Sequence, residues 1–145
     1  MNSGPLPQGT RPVALLAVNL LFLMVWGFTG VSKALQGYPE WFPDKFGKTM
    51  LATFPGLHAS FWMLTLAELL GFALAILALL RVEFLGRRTP LALQATLVWS
   101  LLVFVQLGFG QWLTSEFNGT AQLFTYFAGT LVCLMYVENR PAAAP

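Results

Sequence analysis

Charged side chains are scarce in this 145-residue sequence, where Lys, Arg, Asp and Glu together make up 10% of the residues. An average soluble domain has about 25%, and so few charges cannot cover a water-exposed surface of this size. Disorder is excluded as well, because disordered chains combine low hydrophobicity with high net charge. Here 57% of the residues are hydrophobic and the formal net charge is +2. The composition therefore predicts an integral membrane protein.

Cysteine and histidine are also nearly missing, with one residue of each. Because Cys133 is alone, the chain has no internal disulfide, dithiol redox pair or cysteine-rich metal site. His58, alone as well, excludes a haem ligated by two histidines of this chain. The few basic residues are too scattered for nucleic-acid binding, which needs a basic face. We therefore expect no metal, no covalently bound cofactor and no nucleic-acid partner, and no pattern marks a catalytic residue.

Four long apolar windows fill most of the chain, and a single charge, Glu68, lies within them. The windows are Val13–Ser32, Ala59–Leu80, Leu91–Leu113 and Phe117–Val137. Each has about the 20 residues that a helix needs to cross a bilayer, and an open sheet cannot span lipid. The sequence predicts an all-α, integral membrane four-helix bundle over residues 12–138. Its spans are expected at about 12–35, 58–81, 90–114 and 119–138, with short tails at 1–11 and 139–145.

Basic residues are distributed unevenly between the two sides that four spans define. Five arginines fall on the side of the two termini: Arg11, Arg81, Arg87, Arg88 and Arg140. Three lysines fall on the other side: Lys33, Lys45 and Lys48. Because Lys and Arg concentrate in cytoplasmic segments, this bias predicts that both termini are cytoplasmic. The Arg87-Arg88 pair in the turn between the second and third spans is the clearest marker of that side.

The longest connection, residues 36–57, joins the first and second spans and is rich in aromatic residues and proline. Aromatic side chains favour the membrane interface, so we expect this loop to lie there. Asp44 is expected to cap a short helix over Lys45–Thr53 that places Phe46 and Phe54 on one face. Two interpretations stay open: the loop is a plain lid packed over the bundle, or it is a gate over a binding site.

Glu68 is the most informative residue, because it lies about nine residues into the second span, roughly 13 Å below the outer edge at 1.5 Å per residue. A carboxylate at that depth costs at least about 2.5 kcal/mol, so Glu68 should face the bundle interior, against the first or third span. It is an ion-pair hub, a ligand contact or a proton-transfer group. Lys33 is its expected partner. Lys33 could instead reach the headgroups, or a bound head group could lie between the two charges.

Other polar side chains fall at a similar depth on the third and fourth spans. Any one of them is an ordinary hydrogen-bonding contact between helices, but together they predict a pocket in the outer half of the bundle. The candidate ligand-binding residues are Lys33, Glu68, Gln106 and Tyr126. We expect the 38–54 segment to form the roof of this pocket. Phe28 and Phe72 are expected around the apolar part of the ligand, since such sites are mostly apolar with few polar groups.

Two short segments resemble the DoxX-like family of small bacterial membrane proteins. Gly27-Phe28-Thr29-Gly30-Val31-Ser32-Lys33 is similar to the glycine-then-lysine end of that family's first helix. Ala67-Glu68-Leu69-Leu70-Gly71-Phe72-Ala73-Leu74 is similar to its second-helix segment with Glu, Leu and Gly. With four spans, a cytoplasmic N-terminus and a long first outside loop, the resemblance covers about residues 12–138. It marks Lys33 and Glu68 and no further position.

The resemblance implies a multi-pass protein of the bacterial inner (cytoplasmic) membrane and a link to respiratory or redox complexes. Some members are subunits of thiosulfate-oxidising or quinol-oxidising systems, or accessories to oxidative-stress enzymes. Since this chain lacks a haem-ligand pair and a dithiol, a quinone or an oxidoreductase subunit would have to supply the redox chemistry. The chain would then be at most a subunit of a membrane oxidoreductase.

Two other interpretations stay open beside this one. The chain could be a structural or assembly subunit of a larger membrane complex, with a polar cluster that only holds the bundle together. A small transporter would need a homo-oligomer, because four helices leave little room for a pathway.

Overall fold

The computed structural model describes residues 9–85 and 89–139, which form helices and turns without a strand. Four of the helices are long: α1 (Thr10–Gln36), α3 (Leu57–Leu80), α4 (Leu91–Leu113) and α5 (Phe117–Glu138). Each is long and apolar enough to cross a membrane. The predicted all-α class and the four-helix composition are therefore confirmed, and the helices indicate a multi-pass membrane protein. Arg87, Arg88 and Arg140 lie outside the described residues, so the predicted orientation of the termini stays a prediction.

The four helices pack in the order α1, α3, α4, α5, each against the next. Small residues permit a close approach between α1 and α3. A Cβ atom added to Gly30 would lie 3.1 Å from the backbone nitrogen of Leu69, and one added to Gly71 would lie 2.9 Å from the Trp26 ring. Small residues allow helix backbones to approach in this way in membrane proteins. Helix α3 consequently lies between α1 and α4 at the centre of the bundle.

Two tryptophans on different helices fix how these helices sit against one another. Trp26 on α1 donates from Nε1 to Ser100 Oγ on α4 at 2.8 Å, and Trp99 on α4 donates to the carbonyl of Ala67 on α3 at 2.7 Å. Both bonds satisfy polar groups that lipid cannot satisfy. They tie α1, α3 and α4 together near the middle of the spans.

Helix α5 lies at the edge of the bundle and packs along α4. Its buried residues are Thr130, Leu134 and Val137, all in its C-terminal half. The rest of its surface is exposed or half-buried. In a membrane this surface faces lipid or another subunit.

The segment between α1 and α3, residues 37–56, folds over one end of the bundle, and we call it the lid. It contains α2 (Trp41–Phe46) and a 3-10 turn (Met50–Ala52), and both contact α3. The end of the bundle that it covers is called the lid end. The lid thus packs over the bundle, a placement that both interpretations share.

The predicted lid helix over Lys45–Thr53 is wrong. The helix begins at Trp41 and ends at Phe46, and Asp44 lies inside it rather than capping it. Pro43 falls in the first turn of this helix, where a missing N–H costs nothing, so the helix starts earlier than expected. It ends where the Gly47 nitrogen donates to the Pro43 carbonyl at 2.8 Å. Phe54, expected on the same face as Phe46, is exposed.

Candidate functional site

A buried ion pair joins α1 to α3 at the lid end. Lys33 donates from Nζ to Oε1 of Glu68 at 2.5 Å. Glu68 is 1% exposed and therefore lies in the interior, against α1, as predicted. Of the alternatives open for Lys33, the structure shows the direct ion pair with Glu68. The other carboxylate oxygen, Oε2, is buried and has no hydrogen-bond partner among the described residues.

The close packing of α1 on α3 explains how Lys33 reaches Glu68. A Cβ atom on Gly30 would lie 3.2 Å from Cβ of Glu68, so the backbones pass near each other one turn before Lys33. Lys33 lies in the last turn of α1, where a cation is favoured by the helix dipole. Its side chain is 28% exposed. The ammonium group is thus held at the boundary between the buried carboxylate and the space under the lid.

A cavity of about 270 Å³ lies under the lid, between the lid-end turns of α3 and α4. Its walls are mainly aromatic and aliphatic. The lid contributes Trp41, Phe42, Phe46, Leu51 and Pro55, and α3 and α4 contribute Phe61, Met63, Leu64, Leu107 and Phe109. The polar residues that line it are Lys33, Lys45, Ser60, Gln106 and Gln111. The cavity thus combines an apolar wall with a small set of hydrogen-bond donors, which is typical of small-molecule sites.

The structure brings two of the four candidate residues to this cavity. Lys33 and Gln106 line it. Glu68 does not line it but lies behind Lys33 and holds its ammonium group. Tyr126 does not line it either, because it lies on α5, which packs along α4 and contributes no lining residue. The Tyr126 side chain is 54% exposed, with its ring 6.1 Å from that of Phe104.

The predicted environment of an apolar ligand tail is also wrong. Phe28 is exposed on α1 and Phe72 lies against Gly27, in the contact between α1 and α3. Neither residue lines the cavity. The apolar wall instead comes from the lid and from α3 and α4.

Ser60 is a polar lining residue that the sequence did not reveal. Its Oγ is buried and has no hydrogen-bond partner among the described residues. An unsatisfied buried hydroxyl is uncommon and calls for a partner such as a ligand or water. The residue lies three positions after the start of α3, where a serine carries no distinguishing pattern, so sequence reasoning had no signal for it.

Aromatic contacts attach the lid to α3. Tyr38 stacks on His58, with ring centroids 3.8 Å apart, and Phe42 meets Phe61 edge to face at 5.5 Å. Phe42 and Phe61 are both buried. Such aromatic pairs add to the energy of burial. The one histidine of the chain therefore packs against the lid in this structure.

A second buried carboxylate, which sequence reasoning missed, lies at the opposite end of the bundle. Glu83 accepts hydrogen bonds from the backbone nitrogens of Ala92 and Leu93, at 3.1 and 2.9 Å, and lies 3.5 Å from Arg81 Nε. These nitrogens belong to the first turn of α4, whose N–H groups have no partner within the helix. Glu83 thus completes the start of α4, a role that is hidden in the sequence because its partners lie nine and ten residues away.

The fold and the cavity define a class: a multi-pass helical membrane protein with a lidded, mainly apolar cavity beside a buried ion pair. Over residues 9–85 and 89–139 no cluster of His, Cys, Asp or Glu could hold a metal ion. Comparison with protein-family models, curated proteins and solved structures finds no match to this chain. The resemblance to the DoxX-like family thus stays a prediction carried by the two short segments around Lys33 and Glu68.

Proposed function

We propose that this protein is a DoxX-like integral membrane subunit of, or accessory to, a quinone-linked redox complex in the bacterial inner membrane. In this proposal the cavity under the lid holds the head of the quinone. The observation that carries it is the lining itself: a mainly apolar cavity of about 270 Å³ whose polar lining residues include Lys33, Ser60 and Gln106. With both termini in the cytoplasm, the cavity lies in the outer half of the membrane.

The residues fit the chemistry of a quinone head, which is a flat ring with carbonyl oxygens that accept hydrogen bonds. Ser60 offers a buried hydroxyl without a partner among the described residues. An ammonium has three donors, and Glu68 accepts from Lys33 through one oxygen, so Lys33 keeps donors for a ligand. Gln106 adds an amide NH₂ group. The aromatic side chains of the lid supply flat surfaces against which a ring can stack.

A bound quinone would accept or give up electrons and protons, and a partner subunit would exchange the electrons with it. The residues of this chain bind and orient the head. Glu68 holds the ammonium of Lys33 in place and balances its charge. The lid, attached through Phe42 and Phe61, keeps water away from one side of the cavity.

A structural or assembly subunit is the second candidate, and α5 favours it. Two polar side chains of α5, Gln122 and Tyr126, are exposed in the half nearest the lid end. Polar side chains in lipid commonly bond to a neighbouring helix. A partner subunit packed on α5 would satisfy them without any ligand in the cavity.

Co-purification separates the two candidates. The protein is isolated from bacterial membranes in mild detergent, and bound quinones and associated subunits are identified by mass spectrometry. Gly110→Phe fills the cavity, since Gly110 lines it and faces Phe46. Gly129→Phe is the matched control, because a Cβ atom at Gly129 meets no atom within 4 Å.

The proposed function predicts that oxidoreductase subunits accompany all three proteins. Quinone should accompany the wild type and Gly129→Phe but be lost from Gly110→Phe. Associated subunits without quinone in any of the three would favour the structural candidate.

A further inference from the structure

Part of the wall of the cavity under the lid is also exposed on the outside of the bundle. Met63 on α3 and Phe109 on α4 both line the cavity, and they are 56% and 44% exposed. Large apolar side chains exposed there suit contact with lipid rather than with water. We infer that the cavity is filled sideways from the lid-side leaflet, through the gap between Met63 and Phe109, by an amphiphile whose head oxygens bind Ser60 and Lys33.

The depth of the donors matches the head of such a molecule. Ser60 lies three residues after the start of α3, and Lys33 lies three residues before the end of α1. At 1.5 Å per residue both lie roughly 5 Å inside the helix ends. For helices that end at the membrane surface, this depth matches the boundary between headgroups and acyl chains, where amphipathic helices bury their apolar face about 5–10 Å deep. A head bound there leaves its tail at the level of the lipid chains, on the side of Met63 and Phe109.

The charged residues that line the cavity indicate which kind of head group it would bind. Lys33 and Lys45 line the cavity, and no carboxylate does among the described residues. Glu68 is engaged by Lys33, and Glu116 lies outside the lining, 3.9 Å from Lys45. Ser60 lines the cavity, and its Oγ has no hydrogen-bond partner among the described residues. These groups select a head with acceptor oxygens, which a quinone carbonyl and the carboxylate of a fatty acid both provide.

This inference rests on the cavity of the proposed function and adds the entry route and the role of Ser60. The test uses two photoreactive probes in phosphatidylethanolamine/phosphatidylglycerol vesicles that contain the protein. One probe is palmitic acid with a diazirine in its chain, and the other is a benzoquinone with a diazirine in its tail. Adducts are mapped by mass spectrometry in the wild type, Ser60→Ala and Thr125→Val. Thr125 is a suitable control because its exposed hydroxyl bonds to its own helix, at Ala121 O.

The inference predicts adducts concentrated on the peptides that contain Met63 and Phe109, removed by an excess of the same molecule without the diazirine. Loss of one hydrogen bond should weaken occupancy about fivefold in Ser60→Ala and leave Thr125→Val unchanged, with thermal unfolding of the variants showing that both fold. Labelling by the quinone probe supports the proposed function as well.

The remaining outcomes separate the two ideas. If palmitate alone labels these peptides, the entry route holds and the proposed quinone function fails. If the quinone labels a saturable site elsewhere that Ser60→Ala does not affect, the proposed function survives and the inference is overturned. Adducts spread evenly over the lipid-facing helices, without competition, overturn both.

Discussion

At the residue scale the site depends on two charges in different surroundings. Glu68 is fully enclosed, whereas the Lys33 side chain is 28% exposed and borders the cavity. A buried charge that loses its partner is costly, often 3–5 kcal/mol in proteins. Lys33 borders a polar space, so leaving it without its partner costs less stability, because its side chain can turn outward. The two single substitutions should therefore differ in their effect on stability.

We expect Lys33→Met to lower the free energy of unfolding by about 3 kcal/mol, since it leaves Glu68 buried without a partner. Glu68→Gln should cost about 1 kcal/mol, because Lys33 can still reach the cavity and the glutamine keeps the shape. Denaturant unfolding in detergent measures both, and the double variant should cost less than the sum of the two. Equal losses that simply add would show that the two residues do not depend on each other.

Single residues also show what sequence reasoning can reach. Glu68 could be oriented from the sequence, because a charge in lipid is costly and its side chain must turn inward. Tyr126 could be placed by depth but not by direction, since a tyrosine facing lipid carries no comparable cost. Ser60 could not be found, because its unsatisfied hydroxyl is a property of the packing around it.

At the element scale the lid is the least regular part of the described chain. Its charged contact, Lys45 to Glu116, spans 3.9 Å between two partly exposed side chains. Such surface ion pairs contribute 0–1 kcal/mol or so. Phe42, in contrast, is buried against Phe61. The lid should therefore be held by aromatic packing rather than by charge.

Phe42→Ala should loosen the lid, with a local loss of about 3 kcal/mol from the deleted ring, while Lys45→Ala should have little effect. Amide hydrogen exchange of residues 41–55 in detergent measures the opening. Faster exchange of this segment is expected for Phe42→Ala, with unchanged exchange in α4. Faster exchange of this segment in Lys45→Ala but not in Phe42→Ala would show that charge, rather than aromatic packing, holds the lid.

Long apolar windows made the four long helices predictable, since a membrane requires about 20 apolar residues and internal hydrogen bonding in each. The lid helix was misplaced because its start depends on Pro43 in a first turn and its end on Gly47, and hydrophobic periodicity carries neither signal. The side of α4 on which α5 packs was also beyond the sequence. The side on which α5 packs decides whether its polar side chains reach the cavity.

At the scale of the whole molecule, the arrangement joins α1, α3 and α4 into a bundle with α5 at its edge and the lid over one end. The five-to-three distribution of basic residues predicts that the lid end faces outward. Two exposed residues on opposite ends of the bundle, Thr53 in the lid and Thr89 before α4, allow a direct test.

In a Cys133→Ser background, Thr53→Cys should react with a membrane-impermeant maleimide in intact bacteria, and Thr89→Cys should not. Both should react after the membrane is permeabilised, which controls for accessibility of the thiols. Labelling of Thr89→Cys alone in intact cells would reverse the orientation and place the cavity in the inner half of the membrane.

The central claim, that the cavity under the lid is a binding site, is tested most directly by titration of a short-tailed quinone into the protein in lipid nanodiscs. We expect saturable binding to the wild type and to Gly129→Phe. Gly110→Phe should weaken it at least about tenfold, or about 1.4 kcal/mol of binding free energy, because its ring occupies the space beside Phe46. Non-saturable partitioning that is the same for all three proteins would contradict the account.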